Sequence, residues 1–127
     1  MNNYKTLKAW QSSIELVVDI YKITASFPNK EMYGLTSQIN RSAVSIPSNI
    51  AEGCGRTTSK DFNHFLTIAL GSTCELETQL IIAFRIGYMN EEPFNISCEK
   101  IYAIQRMIKS LKAYNSSIKP KGSEPKD

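Results

Sequence analysis

Histidine is nearly absent from this chain, which limits the metal and acid–base chemistry that it can hold. Di-metal sites in four-helix bundles use a Glu-x-x-His motif from each of two helices. Asp61-Phe-Asn-His64 has a comparable spacing, but it occurs once and His64 is the only histidine. We therefore expect no metal site, no cofactor and no catalytic residues, and we predict that the protein is not an enzyme.

Cysteine is also scarce, with three residues far apart and no Cys-x-x-Cys pair. This usage predicts reduced thiols in a cytoplasmic protein, where they behave as small apolar groups. A Cys–His catalytic pair would need His64 beside Cys54, Cys74 or Cys98. Cys54, the nearest, follows a predicted helix end, where the negative end of the helix dipole disfavours a thiolate.

No apolar run is long and clean enough to predict a membrane span. The best stretch, from Phe62 to Phe84, is interrupted by polar and charged residues, among them Asn63, Glu75 and Gln79. The N-terminal residues lack the basic and apolar regions of a signal peptide, so we expect none. We find no segment with strand periodicity and no internal repeat.

Helical periodicity covers most of the 127 residues. It predicts helices over about 6–26, 31–56 and 58–86, and a fourth helix whose start is uncertain by several residues. Short turns between them predict an all-α fold, an up-down-up-down antiparallel four-helix bundle, over residues 1–118. Residues 119–127 read as a flexible basic tail.

The second predicted helix carries a stripe of small or amide polar residues beside its apolar stripe. Pro47 lies inside it and should bend or loosen it, and Gly53 and Gly55 should end it in the left-handed conformation. We predict a buried, paired polar network that includes an Arg41–Glu75 ion pair. Its predicted members are Gln38, Arg41, Asn49, Glu52 and Glu75. A less favoured interpretation makes Arg41, Asn49 and Glu52 an acid-containing active site.

Helices one and three each show a second apolar stripe besides the one that a bundle needs. Such helices must be covered on most sides, which predicts a homo-oligomer. The alternative is that a small bundle wraps the third helix on three sides. The predicted interface residues are Leu16, Ile20, Ile68, Ile82 and Ile86.

Positive charge is concentrated late in the chain. Residues 1–99 carry eight Lys or Arg against ten Asp or Glu, whereas residues 100–127 carry seven against two. This distribution is a weak indication of an anionic partner. The candidate nucleic-acid surface consists of Arg56, Lys60, Tyr102, Arg106 and Lys109. An ordinary solvated face would have the same composition, because no RNA-binding motif is present.

Several motifs occur between about Leu7 and Leu111, which are LKAWQ at 7–11, FP at 27–28, EMYGL at 31–35, QINR at 38–41, SIPSNIAEG at 45–53, ALGS at 69–72 and ELETQL at 75–80. In these motifs the chain resembles the four-helix-bundle proteins named for genes in intervening sequences of large-subunit ribosomal RNA. The resemblance implies an antiparallel four-helix bundle that assembles into a ring, typically five-fold. It also implies a more distant similarity to accessory proteins of diversity-generating retroelements, whose ring binds a reverse transcriptase and nucleic acid.

The resemblance implies no settled activity and no catalytic residues, and the family's ribosomal name reflects gene location. We expect a non-enzymatic oligomeric binding or scaffold module that associates with itself and with RNA, DNA or a nucleoprotein, without a membrane role. A protein–protein scaffold with no nucleic-acid role is the alternative, and an enzyme ranks third.

Overall fold

The computed structural model describes residues 3–118, and within that range every regular element is helical. The four long helices are α1 (Lys8–Thr24), α2 (Leu35–Cys54), α3 (Ser59–Arg85) and α4 (Glu91–Ser117), with single 3-10 turns at Tyr4–Thr6 and Asn29–Glu31. The predicted four-helix fold is confirmed. The predicted tail, residues 119–127, lies outside the described residues.

Consecutive helices run antiparallel, and α1 also packs against α4, which closes the bundle. Side chains link each neighbouring pair. These contacts are Thr24 Oγ1 to Asn40 Oδ1 at 2.9 Å, Ser45 Oγ to Ser72 Oγ at 2.8 Å, Asn63 Nδ2 to the Lys112 carbonyl at 3.2 Å, and the ion pair of Lys100 with Asp19. The start of α3 therefore lies beside the end of α4, and the end of α1 beside the start of α2.

The buried side of α1 corrects the sequence prediction. Leu16 and Ile20, predicted to form an oligomer interface, are fully buried in the core of the single chain. Their stripe is completed by Ser13 and Thr24, whose hydroxyls are satisfied within the fold: Ser13 donates to the Ala9 carbonyl at 2.6 Å. Because hydrogen-bonded hydroxyls can be buried at little cost, a stripe that looks half polar in sequence can still face the core.

The helix ends follow local chemistry. The Thr58 side chain caps α3 by accepting from the Asp61 N–H at 3.0 Å, as predicted. Gly87, with φ of +90°, closes α3, and the Tyr88 N–H reaches the Ala83 carbonyl at 2.9 Å. Pro93 lies in the first turn of α4, where its missing N–H has no partner to lose, so this helix begins before the proline.

The glycines at the end of α2 act differently from the prediction. Gly55 is the C-cap with φ of −82°, so neither it nor Gly53 adopts the left-handed conformation. Gly53 is buried and serves close packing, because a Cβ there would lie 2.8 Å from the Phe65 Cβ and 3.1 Å from the Phe62 carbonyl. The helix also continues through Pro47, which is buried.

Helix α3 is long and apolar enough, by length and composition, to cross a membrane, and it is the one such helix in residues 3–118. Core helices of ordinary bundles meet the same criterion, so this is weak support for a span. Leu66, Leu76 and Leu80 are fully buried against the other helices.

Glu31 connects the turn before α2 to the turn after α3. Its carboxylate accepts from the Leu35 N–H at 3.1 Å and from the Tyr88 hydroxyl at 2.9 Å. These two hydrogen bonds, the backbone one first, hold the pKa of Glu31 below its ordinary value, and the same carboxylate raises the pKa of Tyr88.

Glycine substitution tests the contact at the end of α2. Gly53→Ala should lower the free energy of unfolding by about 1–3 kcal/mol, because the added methyl group overpacks against Phe62 and Phe65. Gly55→Ala is the matched control, since its Cβ would meet nothing closer than 3.6 Å. Urea titrations in which both variants lose the same stability would contradict this account.

Acid titration tests the Glu31–Tyr88 contact. A lowered carboxyl pKa stabilises the fold above the unfolded-state value, and that contribution is lost as the pH falls through the folded-state value. The difference in melting temperature between the native protein and Tyr88→Phe should therefore be present at about pH 7 and shrink as the pH falls through the lowered pKa of Glu31. Tyr114→Phe, at an exposed position, is the control. A difference that does not change with pH would show that ring packing is responsible instead.

Candidate interaction surfaces

Small polar residues lie where α2 meets α3. Ser45 and Ser72 share a hydrogen bond, and the Asn49 amide donates to the Ser45 carbonyl at 2.8 Å and to its hydroxyl at 3.0 Å. Ser42 is buried on the same side of α2. The small members of the predicted polar stripe thus serve close helix packing and pair as expected.

The longer members of the predicted network do not join it within the single chain. Gln38, Arg41, Glu52 and Glu75 are all exposed in the single chain. The ion pairs within residues 3–118 are Lys100 with Asp19 and Arg56 with Glu52, so Arg41 and Glu75 are not paired with each other. On α2, Arg41 and Glu52 are eleven residues apart, three full turns, and both point outward from the packed side.

An exposed aliphatic stripe follows α3 on its α2 side. Ile68, Ile82 and Ile86 are 40%, 45% and 53% exposed. Glu75 lies seven residues from both Ile68 and Ile82, in the middle of the stripe. We call this surface the α2/α3 face. These three isoleucines are the members of the predicted interface that the structure leaves exposed.

A second apolar surface, which the sequence prediction missed, lies between α1 and α2. Tyr21, Met32, Tyr33, Arg41 and Val44 line a groove of about 650 Å³. Ile14 and Val18 extend the surface along α1, and both are exposed. We call it the α1/α2 face. Periodicity assigns Ile14 and Tyr21, together with Thr24, to the core seam of the first helix, so this surface was not identified.

Charge is unevenly distributed along the bundle axis. One half contains residues 3–19, 45–72 and 104–118, with seven Lys or Arg against four Asp or Glu. The other half, residues 20–44 and 73–103, has five against six. We call the first half the basic end. It is the end from which α4 leads into residues 119–127.

The candidate nucleic-acid residues divide into three groups. Arg56 pairs with Glu52 at 2.7 Å, and its guanidinium lies 4.6 Å from the centre of the Phe65 ring. Lys60, beside it at the start of α3, is exposed.

The second group is Tyr102 alone, whose hydroxyl donates to Glu77 at 2.5 Å. That carboxylate raises the pKa of Tyr102 and places a negative charge next to it. Tyr102 is therefore poorly placed to meet a phosphate.

The third group, Arg106 and Lys109, is exposed on α4 at the basic end. Arg106 shares with Lys8 the lining of a groove of about 480 Å³ between α1 and α4. Two separate pairs of cations, Arg56 with Lys60 and Arg106 with Lys109, thus belong to the same end of the bundle.

Each pKa that the fold shifts is displaced further from pH 7. Burial raises the pKa of Cys54 and of Cys98, and hydrogen bonds lower that of Glu31. A general acid or base works best with a pKa shifted towards the working pH. His64 packs edge-on against Phe65, and within residues 3–118 no three His, Cys, Asp or Glu side chains cluster as metal ligands would.

These features define a single antiparallel four-helix bundle with two exposed aliphatic faces and one basic end. The sequence matches the model of the family described as 23S rRNA-intervening sequence protein over residues 5–110. The chain belongs to that family, which confirms the resemblance found in the sequence.

Comparison with solved structures agrees. The fold is similar to the crystal structure of a protein of unknown function from the S23 ribosomal protein family of Bacteroides thetaiotaomicron. The two chains are 27% identical with a TM-score of 0.74, and the match covers 82% of this chain and 97% of the other. No curated protein matches the chain.

Two matched substitutions separate the core of the subunit from its exposed aliphatic stripe. Ile20→Asp should abolish the cooperative thermal transition, because it buries an unpaired charge at a cost of several kcal/mol. Ile82→Asp should keep the helical circular dichroism spectrum and a cooperative transition, because residue 82 is half exposed. Loss of the folded state in Ile82→Asp would show that α3 is buried on that side as well.

Proposed function

We propose that this protein is a non-enzymatic, self-associating binding module whose basic end contacts the phosphate backbone of RNA. The observation that carries the proposal is the charge asymmetry of the bundle, seven basic against four acidic residues in one half and five against six in the other. Contacts to phosphates supply affinity without sequence information, and Lys and Arg provide them.

Self-association supports the RNA proposal, because the charge of one chain is small. An assembly repeats the basic end in every subunit, and linked weak contacts gain avidity without any new contact. The exposed isoleucines of α3 supply apolar area for assembly. We propose a closed ring of cytoplasmic subunits, for which the family resemblance implies five-fold symmetry.

The absence of an enzymatic role is part of the proposal. It is supported by the direction of the pKa shifts, since Glu31, Tyr88, Tyr102 and the buried thiols are all driven further from neutrality. It is also supported by the exposed, separate positions of Arg41 and Glu52, which were the alternative candidates for an active site.

Binding titrations with single-stranded and duplex RNA at low and moderate salt test this function. We expect weak binding per site, low sequence preference and an affinity that falls steeply with salt. The double variant Arg106→Glu/Lys109→Glu should lower the affinity and reduce the salt slope by about two, one for each lost phosphate contact. The control, Lys22→Glu/Arg85→Glu, makes the same charge change at the opposite end. A chain cut after Ser117 measures the contribution of residues 118–127.

Each alternative has a distinct result. No binding at low salt would refute the RNA role and favour a protein–protein scaffold, which the exposed aliphatic faces also suit. Binding that does not depend on salt would refute the phosphate mechanism. Equal effects of the two double variants would show that total charge, and not the basic end, determines the affinity.

A further inference from the structure

The α1/α2 face and the α2/α3 face are different surfaces on neighbouring sides of the same bundle, with α2 between them. Each is apolar at its ends and carries one exposed charge near its middle. The charge is Arg41 on the first face and Glu75 on the second. If subunits self-associate, as the proposed function requires, these two faces offer exposed apolar area for the contact.

Hydrogen bonds between the helices fix the heights of these charges along the bundle. Ser45 and Ser72 are level, because their hydroxyls are in contact. Arg41 lies four residues before Ser45, and Glu75 lies three residues after Ser72. Since α2 and α3 run antiparallel at about 1.5 Å per residue, Arg41 and Glu75 stand at nearly the same height.

The apolar residues are matched in height as well. Thr24 of α1 contacts Asn40 of α2, and the two helices run antiparallel. Ile14 and Val18 therefore stand at the height of the last turns of α2. Ile68 of α3 stands at the same height, because it lies one turn before Ser72. At the other end, Met32 and Tyr33 precede α2, at the height of Ile82 and Ile86. Along the bundle axis, each face therefore has an apolar region, then a charged residue, then a second apolar region. The two charges are opposite in sign.

We propose that the α1/α2 face of one copy docks on the α2/α3 face of the next copy, with Arg41 opposite Glu75 across the contact. Copies with parallel axes bring equal heights together, so the aliphatic ends meet and the two opposite charges pair. Because the two faces differ, the contact is head-to-tail and leaves one face of each kind unused after every addition. Because the two faces lie on neighbouring sides of the bundle, each addition turns the chain of copies in the same direction, as the proposed ring requires.

Two further observations belong to these faces. The buried side-chain oxygens without a hydrogen-bond partner in residues 3–118 are Thr36 Oγ1 and Gln79 Oε1. Thr36 lines the groove of the α1/α2 face, and Gln79 lies one turn from Glu75 on α3. Gly71 lies on the outer side of α3, where an added Cβ would meet no atom within 4 Å. A glycine at an exposed mid-helix position destabilises the helix relative to alanine, and close approach of another copy would account for its presence.

Cysteine crosslinking tests the head-to-tail arrangement directly. Val18→Cys places a thiol on the first face and Ile68→Cys on the second, both in a Cys74→Ser background, which removes the exposed native thiol. With a short bismaleimide, a mixture of the two variants should form covalent dimers, and neither variant alone should do so. Lys109→Cys on α4, mixed with either variant, is the control. Dimers formed by either variant alone would mean that identical faces meet, and would overturn the proposal.

Charge exchange tests the proposed pair. By light scattering, Arg41→Glu alone and Glu75→Arg alone should each lose mass relative to the native assembly, and the double variant should regain it. A native protein that is assembled, gives no mixed crosslink and keeps its mass in both single variants would refute these two faces and leave self-association standing. A native protein that stays at the 14.3 kDa of one chain at micromolar concentration would refute self-association itself.

Discussion

The close contact between α2 and α3 determines where everything else in this bundle lies. Serines 42, 45 and 72 and Gly53 present so little bulk that the two helices pack tightly, and the Ser45–Ser72 hydrogen bond satisfies the hydroxyls trapped between them. The charged side chains of Arg41, Glu52 and Glu75 remain outside this contact. The polar stripe of α2 is thus divided by side-chain size into a packed part and a solvent-facing part. The exposed part is left for interactions with other molecules.

The sequence was sufficient for the fold class, because four long segments with helical period and short turns leave few alternatives to a bundle. The cap at Thr58 and the stop at Gly87 could also be predicted, since both depend on local chemistry. The orientation of α1 could not, because its core stripe includes Ser13 and Thr24 and its exposed stripe includes Ile14, Val18 and Tyr21. Hydropathy ranks the second stripe as the core. Only the neighbouring helix, which supplies Asn40 as a partner for Thr24, reverses that ranking.

The candidate surfaces were predictable to different extents for a related reason. Ile68, Ile82 and Ile86 were identified as a surplus stripe because α3 already had a complete core stripe beside them. The groove of the α1/α2 face depends on Met32 and Tyr33, which belong to the turn before α2, and no periodicity reports how a turn folds back over a helix. The basic end is also a tertiary property, because it gathers cations from three segments that are distant in sequence. A count along the chain detects only the part contributed by α4.

The distribution of charge along the bundle axis has a consequence for any assembly of parallel copies. Subunits that stand side by side with their axes aligned place every basic end on one rim and every acidic half on the other. The result is a two-sided disc, positive on one side and negative on the other. Such a disc would bind a polyanion through its positive rim only. Two discs stacked in the same orientation would attract each other, and two discs stacked with like-charged rims together would repel each other. Assembly would in this way convert the modest charge asymmetry of one chain into an electrostatic polarity of the whole assembly along its axis.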